Sequence, residues 1–149
     1  MRVATALAWL ATLLYPLAIW LWVALATGLL AAWAGLGNSA LPLKLYPVLV
    51  NVALLLVFGL SLRFGTPVIE RLARIQEPDL PAYAVAYTRR VTQAWCVFFL
   101  VNGAIALATA TLASERVWAL YNGLVAYVLI GAMFAGEWLL RQRLKVRHG

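Results

Sequence analysis

The chain has 149 residues, 65% of them hydrophobic and 11% charged, with a mean hydropathy of +0.89 and a net charge of +7. That composition excludes a soluble domain of this size and indicates one small membrane domain. A single cysteine, Cys96, and a single histidine, His148, exclude an intramolecular disulfide, a cysteine zinc cluster, a histidine-dependent triad and any multi-histidine metal site.

The first hydrophobic run, Val3 to Gly35, carries no charge and exceeds the roughly 20 residues a helix needs to cross a bilayer. It reads as one long span over about residues 4–34. Tyr15-Pro16 offers a kink or break inside it, and a break would make five spans and move the N-terminus to the other side. Ala24-Leu25-Ala26 and Ala32-Trp33-Ala34 have the small-x-small form of a cleavage site, but the apolar core is longer than a signal peptide's, so an uncleaved anchor is expected. Three further charge-free runs follow, Leu45 to Leu62, Val91 to Ser114 and Val117 to Gly136. They predict spans at about 45–62, 92–113 and 117–139, and hence an all-α polytopic membrane protein with four transmembrane helices.

Between the second and third spans, about residues 63–91, the chain is polar and is cut by Pro67, Pro78 and Pro81. Thr66 and Pro67 can start a short amphipathic helix there. Ile69, Leu72, Ala73 and Ile75 would lie on its apolar face, with Glu70, Arg71, Arg74 and Glu77 opposite, so that the helix rests on the membrane surface. After Pro81, Tyr83 and Tyr87 at helical spacing place the start of the third helix in the interface. Residues 141–149 form a basic tail containing Arg143, Lys145 and Arg147.

Charge sets the orientation. Of twelve lysines and arginines, only Lys44 and Arg116 fall on the side opposite Arg2, the central loop and the tail. By the positive-inside rule, four spans then put both termini in the cytoplasm. The tryptophans mostly lie near span ends, where amphipathic rings set depth in the headgroup layer.

Asn51, Asn102 and Asn122 lie within the second, third and fourth spans, where an amide facing lipid is costly, so they are candidates for interhelical hydrogen bonds. Counted from the outer ends of their runs, Asn51 and Asn122 lie at similar depth and could meet, with Asn102 nearer the middle. Gly28 with Ala32, Ala104 with Ala108, and Ala132 with Gly136 have the small-x-x-x-small spacing of close helix contacts. Glu137 needs a cation, and Arg141 four residues on, or Arg89 or Arg90 from the third helix, can supply it. Arg71, Arg74, Arg143, Lys145 and Arg147 form a candidate cytoplasmic docking surface for anionic lipid or an acidic protein such as an acyl carrier protein.

No phosphate-binding loop, dinucleotide fingerprint or nucleophile elbow occurs in the chain. The expectation is therefore a protein that is not an enzyme, with no cofactor and no nucleic-acid partner, able to form homo-oligomers. The segments Tyr87 to Phe99, Tyr121 to Tyr127 and Gly136 to Arg141 resemble those of a family of small uncharacterised bacterial inner-membrane proteins. The likeness runs from Tyr15-Pro16 through Arg63 and Ile69-Glu70-Arg71 to Arg141. Members of that family are often encoded with fatty-acid-synthase-like genes, including aryl polyene clusters. The resemblance implies a setting, membrane-associated acyl or polyene synthesis, and no catalytic residue. The expected function is a non-enzymatic accessory protein docking acyl-carrier-dependent biosynthesis at the inner membrane. A transport or flippase subunit for an amphipathic product is the alternative, and an enzyme using Glu137 with an arginine on a lipid headgroup is a third reading.

Overall fold

The computed structural model describes the backbone of residues 2–37 and 39–148 and the side chains of residues 17–37, 39–75, 77–144 and 146. Helices α1 (Arg2–Gly37), α2 (Leu41–Lys44), α3 (Tyr46–Arg63), α4 (Val68–Gln76), α5 (Ala82–Leu112), α6 (Glu115–Leu120) and α7 (Ala126–His148) succeed one another, with a π turn, Tyr121–Val125, between the last two. The described residues contain no strand. Four stretches are long and apolar enough to cross a membrane: Leu17–Gly37, Leu41–Arg63, Ala82–Leu112 and Glu115–Leu144. The protein is an all-α, multi-pass membrane protein.

α1 is one helix that passes Tyr15-Pro16 without a break. The first run therefore supplies one crossing, and the fifth span read as an option from Pro16 is not formed. At 1.5 Å per residue its 36 residues reach about 54 Å, longer than a hydrocarbon core, so the excess is taken up by tilt or projects into water. α5 likewise starts well before the apolar run that predicts it, and α7 carries its helix on through the basic tail to His148. A membrane helix satisfies its own backbone bonds, so nothing obliges it to stop where the apolar residues do.

The core is the antiparallel pair α3–α5, with α4 and α7 packed beside it. One face of α5 is buried along Thr88, Val91, Thr92, Trp95, Phe99, Asn102, Gly103, Ala106 and Ala110, the three- and four-residue spacing of a helical stripe. The register against α3 runs from Arg89 beside Leu62, through Trp95 and Phe99 beside Phe58, to Asn102 beside Asn51. Phe58, Trp95, Phe98, Phe99 and Phe134 form a knot of tilted and edge-to-face rings with centroids 4.9–6.4 Å apart. Trp95 is 4% exposed and belongs to this core, so the depth-anchoring role read for the tryptophans does not extend to it. Its run of helical neighbours, not its distance from a span end, decides its place.

Gly103 permits the close approach. A Cβ built there would stand 3.0 Å from Asn51 Cβ. The three small-x-x-x-small pairs do not serve this purpose: Gly28, Ala32, Ala104, Ala108 and Ala132 are exposed on the outside of the chain, and a Cβ at Gly28 or Gly136 meets nothing within 4 Å. α1 is similarly uncovered. Its main packing is on α2 and α3, and of residues 17–37 only Ala34 is buried.

Gly65, with φ +125°, turns the chain from α3 into α4, a conformation that favours glycine. Thr66 does not cap α4. The N-cap is Pro67 without a side-chain bond, and Ser61 Oγ instead accepts from Val68 N at 3.2 Å while donating to Phe58 O at 2.7 Å. The faces of α4 also differ from the expected ones. Ile69, Glu70 and Ala73 are buried, whereas Leu72 and Ile75 are exposed. Glu70 goes inside because Arg74 Nε and Nη2 both bond its Oε1, at 2.9 and 2.8 Å, which neutralises the carboxylate.

Candidate functional site

Two polar regions, at opposite ends of the α3–α5–α7 bundle, hold the residues singled out from the sequence. The end bearing Lys44 and Arg116, expected outside from the charge distribution, is called outer and the opposite end inner; the outer region is a seam. Tyr121 OH donates to Asn102 Oδ1 at 2.8 Å, Asn102 Nδ2 donates to Asn51 Oδ1 at 3.0 Å, and Asn51 Nδ2 donates to Pro47 O at 2.8 Å. One directed chain thus links the fourth span to the third and the third to the second.

Asn122 does not meet Asn51. Its Nδ2 donates to Trp118 O at 3.0 Å and to Thr109 Oγ1 at 3.2 Å, nearer the outer end of α5. The expected pairing fails because α2 extends the second span outward to Leu41. Asn51 then stands ten residues in from Leu41, the same depth as Asn102, ten residues in from Leu112. The π turn places Tyr121 and Asn122 where each reaches a different level of α5, a use of the extra residue common at specialised sites. Tyr121, Thr109 and Gly103 were not singled out from the sequence; a tyrosine and a glycine, each directly beside a span asparagine, were the available signals.

Beside the seam lies a crevice of about 470 Å³, lined among others by Tyr46, Asn51, Asn102, Trp118, Asn122 and Tyr127. Trp118, one of its lining residues, donates through Nε1 to Lys44 O at 3.1 Å, and Lys44 Nζ pairs with Glu115 Oε1 at 3.1 Å. The aromatic knot fills the bundle below the crevice, so the outer amides are separated from the inner charges by packed rings. The indole Nε1 of Trp95 is buried there without a hydrogen-bond partner.

The inner end carries the charges. Glu137 Oε1 pairs with Arg141 Nη2 at 2.8 Å, and Tyr87 OH donates to Glu137 O at 3.1 Å, joining α7 to α5. Arg89 does not reach Glu137; its Nη2 donates to Leu62 O at 3.2 Å at the end of α3. Arg74 is held by Glu70 and by Pro78 O at 3.0 Å, and Arg71 Nε donates to Thr66 O at 2.8 Å. These two members of the expected docking surface are therefore committed to shaping the loop. Arg90, Arg143 and Arg63 are exposed with no ion-pair partner among the described residues, and the Arg63 guanidinium stands 5.8 Å from the Phe64 ring centroid. The side chains of Lys145 and Arg147 lie outside the described residues.

Among the described residues no group of three or more histidine, cysteine or acidic side chains is placed to hold a metal ion. What the two regions can do chemically is hydrogen-bond across helices at one end and attract anions at the other. No protein-family model matches the chain, and neither a curated protein nor a solved structure does.

Proposed function

We propose that this chain is an accessory protein of a bacterial inner membrane, with both termini in the cytoplasm, whose basic inner face docks an acidic partner without performing chemistry itself. The partner class is an acyl carrier protein or the synthase enzymes it serves, in membrane-associated acyl or aryl polyene synthesis, the setting implied by the sequence resemblance. The observation that carries this reading is the contrast in partners. The amides within the bundle hydrogen-bond to one another and to neighbouring helices, while Arg63, Arg90 and Arg143 stand exposed at the end where ten of the twelve basic residues collect. Clustered cations beside a membrane attract anionic lipid by about 1 kcal/mol each and steer acidic proteins to the same face.

The test is a pull-down from native membranes in mild detergent. An acyl carrier protein or a synthase component should be recovered at low salt and lost near 1 M salt, where the screening length falls to about 3 Å. Recovery of neither at low salt overturns the proposal.

A second reading, a transport or flippase subunit, draws on the 470 Å³ crevice with Asn122 on its wall. Four spans and a filled aromatic centre require such a subunit to oligomerise. Under this reading Asn122→Leu should abolish export of the amphipathic product at unchanged protein abundance, and intact export would remove it.

A further inference from the structure

Where α4, the linker after it, the first turns of α5 and the last turns of α7 meet, they form a partly open pocket of about 80 Å³. It is separate from both the seam and the exposed cations. Most of its wall is apolar, but two residues of opposite charge are part of it: Arg141 on α7 and Glu77 at the end of α4. Tyr83 and Tyr87 of α5 also line it.

The Arg141 guanidinium is held through Nη2 by Glu137 Oε1 at 2.8 Å. The Glu77 carboxylate has no hydrogen-bond or ion-pair partner among the described residues. A simple anion entering this cavity would gain Arg141 but oppose two carboxylates, Glu77 and Glu137. A simple cation would gain Glu77 but oppose Arg141. A zwitterion bearing a phosphate and a primary ammonium satisfies both, with charge-assisted hydrogen bonds at each end. The cavity also lies at the right depth. Arg89, Arg90 and Arg141 mark the inner limit of the apolar segments of α5 and α7, which is the level of inner-leaflet headgroups.

We infer that this cavity binds the headgroup of an aminophospholipid, the phosphate on Arg141 and the ammonium on Glu77. The same chemistry is offered by free phosphoethanolamine, and the lipid is favoured because the cavity sits beside the membrane-spanning surface of α7, with Leu144 on its wall. The site is independent of the carrier-docking reading; either can fail alone.

The experiment is native mass spectrometry of the detergent-purified chain, mixed with equal amounts of phosphatidylethanolamine and phosphatidylglycerol of the same acyl composition. The chain should retain phosphatidylethanolamine by roughly tenfold over phosphatidylglycerol, a free-energy difference of about 1.4 kcal/mol. Glu77→Gln should abolish that preference without changing the melting temperature, because Glu77 is exposed and holds nothing else in place. Arg141→Gln would free Glu137 inside the bundle and so risks the fold, which makes Glu77 the deciding position. Equal retention of the two lipids by the unaltered chain, or an unchanged preference in Glu77→Gln, overturns the inference. Soluble phosphoethanolamine that leaves the bound lipid in place upholds the lipid as the source, whereas displacement at equimolar concentration assigns the site to the free compound.

Discussion

The outer seam and the inner face are both polar, yet they differ in what their polar groups touch. In the seam, Tyr121, Asn102 and Asn51 bond one another in series, and Asn122 bonds Thr109 and Trp118. At the inner face, Arg71, Arg74, Arg89 and Arg141 are each held by a carbonyl or carboxylate, but Arg63, Arg90 and Arg143 are not. The difference separates polar residues that build the bundle from those that, under the proposed function, are free to meet a partner. Hydrophobic burial gives helices little reason to associate within lipid, so small and polar side chains must do so. Seam substitutions should therefore cost stability, and substitutions of the exposed arginines should cost binding alone.

The largest effect is expected at Gly103. A valine there forces its Cβ against Asn51 Cβ and pushes α3 from α5, destabilising the fold by about 1–3 kcal/mol, the usual cost of overpacking. Thermal or steric-trap unfolding in micelles would reveal it, and an unchanged melting temperature would break the seam side of the comparison. Next comes Asn102→Leu, which removes one donor and one acceptor between spans. A double-mutant cycle with Asn51→Leu should give a coupling of about 0.6–2 kcal/mol, within the range for interhelical bonds in membranes. Coupling indistinguishable from zero would mean that the two amides do not hold the helices together. Smaller still is Arg90→Gln with Arg143→Gln. Stability should change by less than about 0.5 kcal/mol, as at other exposed positions, while carrier or anionic-vesicle binding falls. Leu29→Ala on α1 sits at the bottom of the scale. It is 72% exposed on the outside of the chain and should leave unfolding within about 0.5 kcal/mol of the unaltered protein.

How much of this was legible varied with the kind of signal. Four apolar runs and three loop prolines are strong signals because backbone satisfaction in lipid leaves helices as the only form for such runs. The all-α, four-span architecture follows from them. Which helix forms the core does not, since α1 is as apolar as α5 yet lies almost uncovered. The information sits in the placement of Thr88, Thr92, Asn102 and Gly103 on one face of α5, whereas Thr27 on α1 bonds its own Val23 O. Depth could not be counted from the runs either. The extra turn of α2 moved Asn51 to the level of Asn102, and the expected Asn51–Asn122 contact was lost with it. On α4, charge pattern misled because Glu70 is neutralised by Arg74 four residues later, so an acidic residue lies inside and Ile75 outside.

The central claim is that the exposed arginines, not those bound within the loop, meet the partner. In-cell photocrosslinking from a photoreactive residue at position 143, compared with one at position 74 and read by mass spectrometry, tests this most directly. The account predicts capture of an acyl carrier protein or synthase enzyme from position 143 and not from position 74. Capture of lipid or of the protein itself alone at position 143 would contradict it.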